Sequence, residues 1–413
     1  MSAFDRSGGA LSCERVPLAD LAAAHGTPLY VYSATTIAER YRAVDEAFAG
    51  YPHAMHYALK ANSTLGIARY LRSLGAGADA NSGGEIEIAL RAGFTPPQIV
   101  FTGVGKTDTE LGRAIDLGVR SINAESENEL VRIERLAAAR GKQARVAVRV
   151  NPDIDARSHP HISTGLKSNK FGIALDDARD VCARMHERPG IEIVGLHSHV
   201  GSQITELEPL RRAAQTLVTL ARELKGLGVP IDHLDIGGGL GISYDGRQVP
   251  SAEDYAAVVL PVLRDSGMTV ILEPGRFLVG AAGVLLSRII DIKPQPGGKL
   301  FVILDAGMTE LIRPMLYNAY HRIEPVQSSD RPGVLCDVVG PLCETSDTLG
   351  KDRQLPEPRV GELMVVYDTG AYGSVMASNY NRRPMPAEVL VQDGSATLIK
   401  RRQTIDDLVA LES

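Results

Sequence analysis

The chain has 413 residues, 44% of them apolar and 23% charged. That is enough to bury a sizeable core and too long for one ordinary domain. Its 44 Lys and Arg against 50 Asp and Glu leave a net charge of −6, which speaks against nucleic acid or an anionic membrane surface as a partner. Four widely spaced cysteines form no CxxC or Cys/His cluster, so reduced thiols and no metal site are expected. The start, MSAFDRSGGALSC, lacks the basic and apolar stretches of a secretion signal, and no apolar run approaches the ~18 residues of a membrane helix. The cytoplasm is the expected location.

In chain order, TPLYVYS (27–33) reads as a strand and Ser33 as the N-cap of the helix beginning ATTIAERYRAV. Short apolar runs then alternate with helical segments: HAMHYAL (53–59), AGADA (76–80), QIVFT (98–102), VRSIN (119–123), ARVAVRV (144–150), IEIVGLHSH (191–199), IDHLDI (231–236) and MTVILE (268–273). Eight short strands in βα alternation predict a parallel sheet covered on both faces, closed into a (β/α)8 TIM-like barrel. An open doubly wound sheet is the alternative. After Arg276 the pattern changes. KPQPGG (293–298) reads as a turn or linker, followed by KLFVILD, GVLCDVVG, ELMVVYDTG, AEVLVQDG and SATLIKRR, β runs with little helix between them. The expected organisation is a barrel over 33–280 and an antiparallel β domain built from 1–32 plus 281–413, with the strand at 27–33 returning to that sheet.

The active face of such a barrel lies at the C-terminal strand ends. That position carries Lys60, Asp79, Thr102, Asn123, Asn151, His197, His199, the run Gly237–Gly238–Gly239, Glu273, Gly275 and Arg276. Taken singly, each has a plain structural reading, and a strand-end lysine is usually a solvated terminus. At a catalytic mouth, desolvation and cationic neighbours instead make a lysine a nucleophile towards carbonyls. Lys60 is therefore read as the anchor of pyridoxal 5'-phosphate. That reading demands a phosphate cradle, a carboxylate for the pyridine nitrogen and a flat group to pack the ring. DIGGGLG (235–241) supplies backbone N–H groups that can approach an anion closely, although alone it also describes a tight turn. EPGR (273–276) offers Glu273 for the nitrogen, Gly275 as a donor and Arg276 for phosphate or a substrate carboxylate. HSHVGSQ (197–203) offers His199 for the ring, with Gly201 and Ser202 for phosphate.

Past the barrel, Cys343 and Glu344 share a Gly/Pro-bounded loop in GPLCETSD, where a reactive thiol is plausible, whereas Cys336 inside VLCDVV reads as core. Tyr372 lies between glycines in DTGAYG. Arg313 and Tyr317, four apart in DAGMTELIRPMLYNAYH, share one face if that stretch is helical.

YALKAN, HISTGLKSNKFGI, HSHVGSQ, LDIGGGLG, EPGR, DAGMTELIRPMLYNAYH, GPLCETSD and DTGAYG occur in that order. Together they resemble the diaminopimelate decarboxylase family, one of the alanine-racemase-like (fold type III) pyridoxal-phosphate decarboxylases, over nearly the whole chain. The resemblance implies a barrel plus a β domain, and the decarboxylation of meso-2,6-diaminopimelate to L-lysine. It implies that Lys60 bonds the cofactor and His199 stacks on its ring. Ser202, Gly238, Gly239, Gly275, Arg276 and Tyr372 would hold the phosphate, and Glu273 the pyridine nitrogen. Arg276, Arg313, Tyr317, Glu344 and Tyr372 would bind the amino-acid substrate, with Cys343 as the proton donor. It also implies a homodimer with shared active sites, to which the partner subunit contributes the cysteine and the glutamate. A decarboxylase of ornithine, lysine or arginine is the alternative. A distal Arg313 speaks against it, because those substrates have no distal carboxylate. Glu273 and Cys343 speak against a racemase, and the long β domain speaks against a bare cofactor carrier. The HISTGLKSNKFG loop is expected to cover the site.

Overall fold

The computed structural model describes residues 3–155, 164–166, 169–264 and 266–412. The chain divides into two compact units: Met1–Arg40, Ser243–Gln248 and Leu278–Ser413 form one, and Tyr41–Ile242 with Val249–Phe277 the other.

The second unit is a closed barrel. The strands His53–Ala58, Gly77–Ala80, Ile99–Phe101, Ser121–Ala124, Ala144–Asn151, Ile191–His197, His233–Asp235 and Thr269–Leu272 pair in parallel in chain order. The last pairs with the first, Leu272 opposite Met55. Ring closure excludes the open doubly wound sheet. Parallel neighbours need covered crossovers, and helices such as Gly83–Ala92, Asp108–Leu117, Glu127–Ala138 and Glu208–Gly226 provide them. Their ends follow local chemistry. The Ser82 and Ser126 hydroxyls accept the Glu85 and Glu129 N–H groups at 3.1 Å, and Gly93 and Gly118 close their helices in the left-handed conformation.

Buried ion pairs strap the C-terminal ends of the third to fifth strands. Lys106 Nζ donates to the Gly103 and Asn123 carbonyls at 2.7 and 2.8 Å and to Glu129 at 3.0 Å. Arg149 donates to Glu125 at 2.6 Å, and the other Glu125 oxygen accepts the Gly172 N–H at 2.9 Å.

The first unit is built around the long strand Gly283–Pro294. It is antiparallel to Leu29–Ser33, Leu363–Val366 and Leu300–Leu304. KPQPGG is the hairpin turn at its end, not an interdomain linker, because the strand runs on to Pro294 and returns at Leu300. The sheet is mostly antiparallel, with two parallel pairs: Leu29–Ser33 beside Ala387–Gln392, and Leu300–Leu304 beside Gly333–Val339. The strand at 29–33 is buried on both faces, and its alternation sorts two kinds of packing. Leu29 and Val31 join the apolar core with Val284, Leu286, Val389 and Val391. Tyr30 and Tyr32 stack at 6.0 Å on the other face and donate their hydroxyls to the Glu310 carbonyl and the Glu388 carboxylate, at 2.6 and 2.7 Å. Ser33 then caps the helix Ala34–Phe48, accepting the Thr36 N–H at 3.0 Å.

Replacing Lys106 by Met keeps the stem but strands the buried Glu129. It should cost on the order of 3–5 kcal/mol in urea unfolding, with part recovered by adding Glu129→Gln. A loss below about 1 kcal/mol would contradict the buried strap.

Candidate active site

Lys60 stands just past the first barrel strand. The strand stops at Ala58, one residue short of the expected run, and Leu59–Ala61 form a single 3-10 turn that carries the lysine. The turn is held by the Tyr57 hydroxyl, which donates to the Asn62 carbonyl at 2.8 Å. The ammonium donates to Asn81 Oδ1 at 3.3 Å and lies 3.8 Å from Asp79 Oδ2, while Asn81 Nδ2 donates to that same Asp79 oxygen at 3.0 Å. Lys60 keeps about a third of its side chain exposed, whereas Asp79 is fully enclosed. Burial and the Glu273 charge push the Asp79 carboxyl up to about 6, against the pull of Lys60.

Glu273 follows the eighth strand and is 4% exposed. Burial alone would raise its carboxyl. The His197 ring at 3.3 Å and the Lys60 charge outweigh burial and hold Glu273 well below the usual range, so it stays ionised. Its other oxygen accepts from the Thr102 hydroxyl at 3.4 Å, and that hydroxyl in turn accepts from Asn123 Nδ2 at 3.0 Å. Asp235, at the end of the seventh strand, completes the group: polar atoms of His197, Asp235 and Glu273 all lie within 4.8 Å of one another. Burial and the neighbouring Glu273 charge raise the Asp235 carboxyl well above normal, so of this pair Asp235 carries the proton. Its Oδ1 accepts the Gly237 N–H at 2.9 Å, tying the carboxyl group to the glycine loop.

That loop needs its glycines. A Cβ on Gly238 would collide with the Glu273 carbonyl oxygen, and one on Gly239, at φ +108°, would come within 2.6 Å of the Gly201 carbonyl oxygen. The Gly238 N–H donates to His199 Nδ1 at 3.2 Å, which orients the imidazole. Crowding by protein atoms, then the Lys60 and Arg149 cations, push His199 well below the usual imidazole range, leaving a neutral ring. Arg276 is buried and donates to Ser202 Oγ at 3.0 Å. A Cβ on Gly275 would press on Ala58, just before the lysine turn, and on Ala61, its last residue. The barrel thus gathers an amine, an ionised buried carboxylate, a neutral imidazole, and a glycine loop with a guanidinium and a hydroxyl. This donor set fits pyridoxal phosphate: cation and hydroxyl for the phosphate, carboxylate for the ring nitrogen, amine for the aldehyde.

Of the loop at 161–173, residues 161–163 and 167–168 lie outside the described residues, and the expectation that it covers the site lies there too. Its described parts are anchored: Thr164 Oγ1 donates to the His199 carbonyl at 2.6 Å, and Asn151 Nδ2 donates to the Leu166 and Phe171 carbonyls at 2.8 and 3.1 Å.

In the β unit, Arg313 and Tyr317 begin and end one short helix, Arg313–Tyr317; the arginine is buried and the tyrosine half-buried. Cys343 and Glu344 are exposed in their loop. Asp347 shapes that loop, accepting the Met308 and Leu342 N–H groups at 2.6 and 2.9 Å. The Cys343 N–H donates to Asn381 Oδ1 at 3.3 Å. Tyr372 has a positive φ of 56°, a conformation that a bulky residue holds only under constraint from its surroundings. Cys336 is enclosed in the sheet, as are Cys13 and Cys182 in their own surroundings. Asp235 and Asn81 escaped the reading of strand ends. The signal for Asp235 was present in LDIGGG, an acidic residue inside an apolar strand end two residues before a glycine run.

Comparison with known proteins adds an independent line. The profile of the pyridoxal-binding domain of pyridoxal-dependent decarboxylases matches residues 34–280. The diaminopimelate decarboxylase of Pseudomonas aeruginosa is 47% identical over 413 residues, covering 100% of this chain and 99% of that protein. The solved diaminopimelate decarboxylase of M. jannaschii in co-complex with L-lysine superposes with a TM-score of 0.95 at 37% identity, over 100% of this chain and 99% of that one. The Helicobacter pylori enzyme complexed with L-lysine gives 0.92 at 42% identity, over 96% and 99%.

The raised Asp79 carboxyl has a pH signature. The folded chain binds this proton more tightly than the unfolded chain, so the group's contribution is whole below about pH 4 and is lost as pH rises through 6. Urea unfolding of cofactor-free protein at pH 4 and pH 7 should show wild type losing on the order of 2–3 kcal/mol relative to Asp79→Asn. Parallel changes in the two proteins would contradict the assignment.

Proposed function

The chain belongs to the diaminopimelate decarboxylase family of pyridoxal-dependent decarboxylases, and from that premise we propose that it converts meso-2,6-diaminopimelate to L-lysine and CO2. The observation that carries the chemistry is Glu273, buried yet ionised beside His197 and within the field of Lys60. Bound in this barrel, pyridoxal phosphate supplies the electron sink that takes the pair left on Cα as CO2 departs. Glu273 holds the proton on the pyridine nitrogen, without which the ring is a poor sink. Lys60 supplies the amine that anchors the cofactor. Arg276, Ser202, Gly238, Gly239, Gly275 and Tyr372 bind the phosphate, and neutral His199 packs on the ring without placing a second cation against it. Arg276 and Tyr372 also contact the substrate.

The substrate is itself an amino acid at its far end. Arg313 and Tyr317 take the distal carboxylate, and Glu344 the distal ammonium. Loss of CO2 breaks the Cα–carboxylate bond. Cys343 then passes its Sγ proton to Cα, completing L-lysine, and regains a proton from solvent once the product has left. We further infer a cytoplasmic homodimer in which the partner subunit supplies the cysteine and glutamate to each site. Among the described residues no helix is long and apolar enough to cross a membrane.

Offered meso-diaminopimelate, L-ornithine, L-lysine and L-arginine side by side, the loaded protein should release CO2 from the first alone. Release from a diamino monocarboxylate would overturn the roles of Arg313 and Glu344. Cys343→Ala should keep the bound-cofactor spectrum and slow turnover by about 10²-fold or more, and unchanged turnover would remove the thiol from the reaction. Mixing inactive Lys60→Ala with the slowed Cys343→Ala should raise activity well above that of either alone through mixed dimers, each with one complete site. No recovery after verified subunit exchange would contradict shared sites.

A further inference from the structure

Arg313 is held by two neutral groups of its own unit. Its NH1 donates to His321 Nε2 at 2.7 Å, and the other ring nitrogen, Nδ1, lies 2.7 Å from the Tyr367 carbonyl oxygen. A carbonyl oxygen only accepts, so Nδ1 carries the hydrogen and Nε2 presents the lone pair to the guanidinium. Both bonds require the neutral ring in one tautomer, and His321 is fully enclosed. The half-buried Tyr244 ring lies 4.6 Å from the Arg313 guanidinium carbon and meets the His321 ring edge-on, 5.2 Å away at 75°. One contact is a hydrogen bond to a guanidinium N–H, and the other sets the cation over an aromatic ring. Together they restrict how Arg313 can turn.

A carboxylate is read by a guanidinium through two parallel hydrogen bonds, so orientation matters as much as charge. We propose that His321 and Tyr244 are positioning residues for substrate selection, orienting Arg313 towards the distal carboxylate of the diamino diacid. The proposal rests on the reading that Arg313 binds that carboxylate.

Two single replacements of His321 separate its bonds. In His321→Gln the side-chain carbonyl reaches the Nε2 position and still accepts from Arg313. In His321→Asn the shorter amide reaches only the Nδ1 position and still donates to Tyr367. In the cofactor-loaded enzyme, His321→Gln should keep KM for meso-diaminopimelate near wild type, whereas His321→Asn should raise it about tenfold or more with little change in kcat. A role confined to pinning the Tyr367 backbone predicts the reverse order. Tyr244→Phe, which keeps the ring, should leave KM near wild type, and Tyr244→Leu should raise it. This second pair, at a half-buried position, keeps the proposal testable if the His321 variants do not fold, and an unchanged KM in Tyr244→Leu overturns it. Arg313→Gln separates the two levels. An unchanged KM there removes the role of Arg313 and this inference with it. A raised KM there, with equal KM in His321→Gln and His321→Asn, overturns the positioning alone.

Discussion

A carboxylate enclosed in the mouth of a protein barrel ordinarily takes up a proton, because burial penalises its charge. Glu273 is kept from doing so by the His197 ring, by the Lys60 charge and by the Asp235 carboxyl. The polar groups packed around it follow from this constraint. Asn123 donates to Thr102. Asp235 carries the proton that Glu273 does not, and it pins the glycine loop through the Gly237 N–H. Strand ends around the ring thus serve one charge, and a parallel closed barrel is the architecture that brings so many of them to one mouth.

The β unit solves a different problem. Its polar residues act through rigid supports rather than shared charge. Asp347 gathers backbone N–H groups to shape the loop of Cys343 and Glu344. His321 and Tyr244 hold Arg313 from two sides. Tyr30 and Tyr32 reach out of a fully buried strand to the Glu310 carbonyl and the Glu388 carboxylate. In each case a neutral or fully bonded partner holds the group without adding an unpaired buried charge.

All eight barrel strands were legible in the sequence because each is a short apolar run between helical segments, and the cap at Ser33 was legible because N-capping is local chemistry. The 3-10 turn at Lys60 was not: its cause lies in the Tyr57 hydroxyl reaching Asn62, a contact with no periodic signature. Parallel pairing in the β sheet was hidden for the same reason, since alternation along a strand does not reveal the direction of its neighbour. Lys60, Glu273, Arg276 and His199 could be picked out because strand ends of a barrel converge. His321 could not, because its meaning depends on a carbonyl 46 residues away.

The most direct test of the account is the protonation state of Glu273. The infrared difference spectrum between wild type and Glu273→Gln at neutral pH should show the loss of a carboxylate stretch. Loss of a carboxylic-acid C=O stretch instead would mean that Glu273 is neutral and cannot hold the proton on the ring nitrogen, and the account of decarboxylation would fall with it.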